Sequence, residues 1–164
     1  MIQVSKIENS TLWQEATLNG KGFTAITGFI SLANTSETDF FLLKNPAAGK
    51  LIRFKELQLT IGASATQKSI FRVYRTPTIT ANGTLLTTNK ILSNHPNTSI
   101  TEVYQSPTIS ARGTLINIFE LDFNTYVREQ DLARYLVAGS NLLITCQSGT
   151  NGIEHNLTLS WMEQ

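Results

Sequence analysis

A thirteen-residue segment occurs twice in this chain. VYRTPTITANGTL occupies residues 73–85 and VYQSPTISARGTL occupies residues 103–115, and nine of the thirteen positions are identical. Each copy predicts a strand, a proline break, a short extended run, a glycine turn and a return strand, because proline cannot donate to a ladder and glycine accepts a positive φ. We expect a hairpin across Asn82–Gly83 in the first copy, and an equivalent one in the second copy on the opposing half of a sandwich. Two copies are too few for a solenoid.

The composition favours strands over helices. Charged residues make up 15% of the 164 residues, well below the usual ~25%, and Thr, Ser and Asn replace them. These neutral side chains suit exposed strand faces and turns. We expect an N-terminal arm over residues 1–21 and a single domain over residues 22–164.

Short apolar runs separated by turn residues predict eight to ten strands. The principal ones are expected at 23–33, 39–44, 50–61, 68–76, 78–81, 84–88, 141–146 and 153–163. The only helix is expected near 126–136, over one or two turns. Because Phe40 and Phe41 are consecutive, one of them is expected to face away from the core. The pattern predicts an all-β fold, a two-sheet antiparallel β-sandwich of the jelly-roll-like type.

Several classes of protein are disfavoured. The formal net charge is +1 and the basic residues are scattered, whereas nucleic-acid binding normally needs a concentrated basic face. No window approaches the ~18 apolar residues of a membrane span, and the amino terminus does not read as a signal peptide. The single Cys146 falls in an apolar run, where we expect a buried thiol that acts as a small hydrophobe.

Catalytic and metal-binding residue types are scarce. The two histidines are His95, in a polar loop, and His155, next to Glu154 in a strand whose successive side chains point to opposite faces. A metal site usually needs three or four convergent ligands. The pair Glu120 and Asp122 has strand spacing and is interpreted as a solvated or loop-anchoring pair. We therefore expect no catalytic residues, no metal, no cofactor and no enzyme activity.

Two small groups of residues are candidates for binding a partner. Trp13, with Leu12 and Leu18, forms the apolar cluster of the arm, and the rest of the chain offers no obvious surface to bury it. Arg128 and Arg134 lie among acidic residues at short helical spacing, which indicates local pairing or a contact between subunits.

From about residue 39 onward the chain resembles small structural proteins of tailed bacteriophages. The resemblance is carried by FFLLKNPAAGK, by the run at 71–84, by SPTISARGT, and by LVAGSNLLIT with a terminal W-M-E strand. Such proteins are capsid decoration (cement) proteins, head fibres or tail appendages with β-sandwich domains, and they often assemble as trimers. The resemblance implies a virion location, reached by assembly in the host cytoplasm, and a major capsid protein or other virion protein as partner.

The expected function is therefore a non-enzymatic capsid decoration protein that binds and stabilises the phage head as a homotrimer. The alternative is a tail or fibre adaptor, or a carbohydrate-binding receptor module. That alternative predicts exposed aromatic residues in the end loops, and the loops expected at 34–38, 62–67, 93–99 and 147–152 contain none. A hydrolase acting through Glu120 or Asp122 is the third possibility.

Overall fold

The computed structural model describes residues 12–32, 35–48, 50–62, 67–92, 94–122, 126–130 and 135–164. Residues 12–18 form a helix, α1. The strands are β1 Gly22–Ile26, β2 Ile30–Ser31, β3 Thr38–Lys44, β4 Ile52–Ile61, β5 Ser69–Arg75, β6 Thr78–Ala81, β7 Thr84–Leu85, β8 Asn89–Lys90, β9 Glu102–Gln105, β10 Thr108–Ala111, β11 Thr114–Leu121, β12 Tyr126–Gln130, β13 Tyr135–Leu136, β14 Asn141–Ser148 and β15 Glu154–Glu163.

Two antiparallel sheets form a jelly-roll sandwich. The first sheet has the order β12-β4-β15-β1-β8 and the second the order β11-β5-β14-β3-β9-β7. Along the chain, β1, β3, β4 and β5 alternate between the sheets, and β11, β12, β14 and β15 do the same. The result is two interleaved four-stranded sets, which is the jelly-roll arrangement. The predicted all-β sandwich is confirmed.

The core lies between the two sheets. Strand β4 alternates buried and partly exposed residues along most of its length, as expected for a sheet with one face on the core. Trp161 is fully buried and its ring centroid lies 6.3 Å from that of Phe23, and the thiol of Cys146 is also buried. The predicted burial of both Trp161 and Cys146 is confirmed.

The expectation that Phe40 and Phe41 face opposite ways is wrong. Both side chains are fully buried in the inter-sheet core. The pairing of β3 with β14 shifts register between Ile144 and Thr145. Such a β-bulge places an extra residue on one strand and interrupts the alternation of faces.

The helix predicted near 126–136 is also wrong. Residues 126–130 and 135–136 are the strands β12 and β13, and both pair with β4; residues 131–134 lie outside the described part of the chain. Residues 126–130 form a strand because their backbone groups pair with β4, and local helix propensity is too weak to prevent this pairing. The helix that the structure does contain, α1, lies in the predicted arm, and the amide of Lys21 closes it on the carbonyl of Ala16 at 2.8 Å.

The predicted repeat strands are present, but they pair between the copies and not within them. Strand β6 of the first copy pairs with β10 of the second. Strand β7 of the first copy pairs with β9 of the second, and the start of β11 in the second copy pairs with β5 in the first. The hairpin expected across Asn82–Gly83 is therefore absent, and the two copies are interlocked.

The β6–β10 ribbon forms a third layer on the outside of the second sheet. Register partners define one lateral row across that sheet, whose members share a face: Leu115, Tyr74, Leu143, Leu42, Tyr104 and Leu85. This face is the outer one, since Leu42 alternates with core residues Phe41 and Leu43. Leu42 and Leu143 are nevertheless fully buried, so they are covered from outside.

Candidate interaction surfaces

Matching backbone features hold the two repeats together. Thr76 and Ser106, equivalent in the two copies, have φ of 54° and 50°, and Gly83 and Gly113 have φ of 88° and 81°. A Cβ on Gly83 would lie 2.7 Å from the carbonyl oxygen of Ser106, and one on Gly113 would lie 2.6 Å from that of Thr76. Each glycine thus packs against the strained residue of the other copy, because only hydrogen fits there.

The positive φ of Thr76 gives a testable stability effect. A left-handed conformation costs a branched residue about 1–2 kcal/mol, whereas glycine adopts it freely and loses about 0.5–1 kcal/mol through unfolded-chain entropy. We expect Thr76→Gly to raise the free energy of unfolding by about 0.5 kcal/mol in urea titrations. Thr78→Gly, in an exposed strand position, is the control and should lower it; an equal loss in both variants would contradict the assignment.

Polar contacts tie the ends of the ribbon to β3. Lys44 Nζ donates to Asn82 Oδ1 at 3.3 Å. At the equivalent position of the second copy, Arg112 Nε donates to Asp39 Oδ1 at 3.1 Å, and its Nη2 donates to the carbonyl oxygen of Glu37 at 2.8 Å. The difference between Asn82 and Arg112 therefore follows the residue each one meets on β3, a cation in one case and an anion in the other.

Glu37 is the centre of a polar network on this outer face. Its carboxylate accepts hydrogen bonds from Thr145 Oγ1 at 2.6 Å and Tyr74 Oη at 2.8 Å. Burial acts to raise the pKa of Glu37, but those two hydrogen bonds and the charges of Arg112 and Arg72 outweigh it, so the pKa lies below its ordinary 4.5. Glu37 thus has hydrogen-bond and ion-pair partners within the protein, which is typical of a network that holds neighbouring segments of the chain together.

The helix α1 exposes apolar side chains. Leu18 is 70% exposed and Leu12 is 41% exposed, while Ala16 faces the domain and is buried. Trp13 is partly buried and, with Leu18, lines an open cavity of about 320 Å³ together with Gln14 and Thr17. The predicted partner-binding residues Leu12, Trp13 and Leu18 therefore lie on one short helix, and two of them, Trp13 and Leu18, line the same open cavity.

The other two candidate residues are not brought together. Arg128 lies in β12, and its Nη2 donates to Glu56 Oε2 at 2.9 Å within the same chain. Arg134 lies outside the described residues. A role for either one in binding a partner stays a prediction.

An exposed aromatic residue was missed from the sequence. Phe29, expected inside a continuous strand 23–33, lies between β1 and β2 and is 55% exposed. Gly28, next to it, has φ of 70° and no heavy atom within 4 Å of an added Cβ. The glycine turn that interrupts the strand was the one signal in the sequence that could have revealed this position.

The titratable residues considered for chemistry have structural roles. Glu120 and Asp122 are both exposed and lie 2.9 and 3.6 Å from Lys68 Nζ. His155 is fully buried, its Nε2 lies 2.8 Å from Ser69 Oγ, and burial lowers the pKa of the imidazole to about 4. Among the described residues, no group of three or more His, Cys, Asp or Glu side chains is placed to hold a metal ion.

A buried carboxyl group lies at the end of the last strand. Glu163 is 3% exposed, and its carboxylate accepts hydrogen bonds from Ser99 Oγ at 2.6 Å and Thr101 Oγ1 at 2.9 Å. The amides of Ile100 and Thr101 add two further bonds, each 3.3 Å long. Glu163 thus holds the segment before β9 against β15.

In the described part of the chain, no helix has the length and apolar character needed to cross a bilayer.

Comparison with known proteins gives a weak structural likeness. No protein-family profile matches the chain, and no curated protein is similar to it. Similar solved structures include the acid-stable capsid of Helicobacter pylori bacteriophage KHP30, with 10% identity, 86% of each chain covered and a TM-score of 0.40. A mitogen from Yersinia pseudotuberculosis has 10% identity, the same coverage of both chains and a TM-score of 0.37. Likeness at this level carries no argument about function, and membership of a phage family stays a prediction.

Proposed function

We propose that the chain is a non-enzymatic structural protein of a phage virion, a capsid decoration protein that binds and stabilises the head as a homo-oligomer. The observation that carries the proposal is the apolar surface of α1. Leu18 is 70% exposed and lies beside Trp13 on a segment that precedes the sandwich. A large aromatic residue next to exposed leucine is a typical anchor for a protein surface.

The rest of the molecule supplies the other properties that this function needs. The sequence contains a single cysteine, which is buried, so the stability of the jelly roll does not depend on an intramolecular disulfide. The interlocked repeats add a rigid outer layer, and the buried carboxylates of the described residues are satisfied by hydrogen bonds. Such a domain projects from a particle as a compact unit while the helix attaches it.

The test is binding to heads of the phage whose genome encodes the chain. We expect Leu18→Glu to weaken co-sedimentation with purified heads at least tenfold, because a charge must be desolvated where leucine was buried. Val137→Glu is the control, since Val137 is 58% exposed and lies in a different part of the domain. Binding of the unaltered chain that is undetectable, or equally lowered by both variants, contradicts the proposal.

A second candidate function is favoured by Phe29. An exposed aromatic ring beside an open glycine turn is suited to stacking on a sugar ring or to contact with a receptor. This would make the chain a tail or fibre adaptor with carbohydrate-binding activity. A glycan array that gives a signal with the unaltered chain and none with Phe29→Ala would favour this function over head binding.

A further inference from the structure

The ribbon leaves both ends of the lateral row uncovered. Leu42 and Leu143, at the centre of the row, are fully buried, whereas Leu85 at one end is 64% exposed and Leu115 at the other is 44% exposed. Ile118, three residues after Leu115, pairs with Arg72 and is 53% exposed. The outer face therefore carries one apolar surface at each lateral edge, and Leu85 and Leu115 occupy equivalent positions in the two repeats.

Both apolar surfaces lie on edge strands. Strands β7 and β11 end the six-stranded order, and no described strand pairs with the outer side of either one. The amide of Ile118 already donates to Asn117 Oδ1 at 3.0 Å. New pairing on β11 is therefore best placed at its first residues, Thr114 and Leu115, the counterparts of Thr84 and Leu85. Unpaired edges of this kind are templates for another strand.

The direction of the strands suits a second copy of the same chain. All neighbours in the six-stranded sheet are antiparallel, so β11 and β7, the first and sixth strands, run in opposite directions. A copy displaced sideways sets β7 of one molecule antiparallel to β11 of the next, which continues the sheet. Neither edge segment, Thr84–Leu85 or Thr114–Ile118, contains a charged residue, so no ion would be buried without a partner.

We propose that copies of this chain associate head to tail, with the Leu85 edge of one copy packed against the Leu115 and Ile118 edge of the next. This deepens the homo-oligomer of the proposed function and rests on it for biological context only. Each subunit uses two different surfaces, so the assembly is heterologous and closes into a ring when the rotation between subunits permits. A two-fold dimer, in contrast, would use one surface twice.

Complementation between two disabled variants tests the arrangement. The variants are Leu85→Glu and Ile118→Glu, each of which leaves the opposite edge intact, and the readout is mass by sedimentation velocity and native mass spectrometry. We expect an oligomer for the unaltered chain, and a monomer for each variant alone. An equimolar mixture should form heterodimers of one copy of each variant, because a single interface between two intact edges remains.

Thr80→Glu is the matched control. Thr80 is exposed on the ribbon between the two edges, so it receives the same charge without touching either edge and should leave the oligomer unchanged. A monomeric unaltered chain, a variant that keeps its oligomer, or a mixture that stays monomeric would each overturn the proposal. If Ile118→Glu alone dissolves the oligomer, the interface is a two-fold one.

Head binding separates this inference from the proposed function. Leu85→Glu and Ile118→Glu keep α1 intact, so under the proposed function they still bind heads as monomers, more weakly because multivalency is lost. Leu18→Glu has the reverse expectation, an intact oligomer that binds heads at least tenfold more weakly. Folding of every variant is checked by its unfolding midpoint in urea.

Discussion

Gly113→Ala is expected to lower the free energy of unfolding by about 3 kcal/mol or more. The substitution forces alanine into a φ of 81°, and its Cβ would overlap the backbone carbonyls of Arg75 and Thr76 in the other repeat. Because backbone cannot swing aside like the tip of a side chain, the interlock between the repeats must open. Gly83→Ala, in the equivalent position against Ser106, should cost a similar amount.

The control for this prediction is Gly28→Ala. Gly28 also has a positive φ, 70°, but an added Cβ meets no atom within 4 Å. The variant Gly28→Ala therefore measures only the cost of placing alanine at a positive φ, about 1 kcal/mol. Urea unfolding of the three variants gives the comparison. If Gly113→Ala and Gly28→Ala lose the same stability, the close approach of the two repeats does not contribute.

The second large effect is a loss of stability in mild acid caused by His155. Its ring is fully buried between the sheets, with the rings of Phe71 and Phe40 at 5.6 and 6.4 Å. Burial lowers the pKa of His155 from 6.5 to about 4, although a hydrogen bond to the backbone of Ile153 opposes the change. The folded ring therefore stays neutral at pH values where the unfolded ring is protonated.

The direction in which stability changes with pH follows from proton binding. Between pH 6.5 and 4 the unfolded chain binds a proton at His155 that the folded chain does not, so stability is complete above pH 6.5 and falls as the pH falls towards 4. From pH 7.0 to 4.5 this amounts to about 2 kcal/mol. We expect His155→Gln to lose about 2 kcal/mol less than the unaltered chain over this interval.

His95→Gln is the control, because it removes the other histidine of the chain. Free energies of unfolding in urea at pH 7.0 and 4.5 give the differences directly. Parallel pH profiles for the unaltered chain and His155→Gln would show that His155 does not cause the acid sensitivity.

The fold class could be predicted because its signals are local. Proline and glycine mark the ends of the strands around Pro77 and Gly83, and alternating apolar residues mark the buried faces of β4 and β15. These cues need only neighbouring residues. The burial of Trp161 followed from the same alternation.

Pairing partners could not be predicted, because they depend on residues far apart in the sequence. Asn82–Gly83 is a favoured hairpin dipeptide, yet β6 pairs with β10, about 30 residues away. Strand β12 was predicted as helix because the apolar residues near it have helical spacing, whereas β4 offers it a ladder. The consecutive burial of Phe40 and Phe41 arises from a bulge against β14. Neither phenylalanine indicates that bulge from the sequence.

The candidate surfaces were predicted in part. Leu12, Trp13 and Leu18 were singled out because nothing nearby in the sequence explained their burial, and two of the three are well exposed. Leu85 and Leu115 were counted as ordinary residues of the repeat. Their exposure depends on which parts of the outer face the ribbon covers, and this is a property of the assembled layers.

The segment between β5 and β11 begins and ends at one point of the second sheet, because Arg75 and Thr114 lie opposite each other in the β5–β11 ladder. Within that segment, β8 and β9 pair with β1 and β3 of the sandwich, whereas the β6–β10 ribbon pairs only with itself. The exposed ribbon positions, such as Thr80, can therefore change in sequence while the inter-sheet core stays the same.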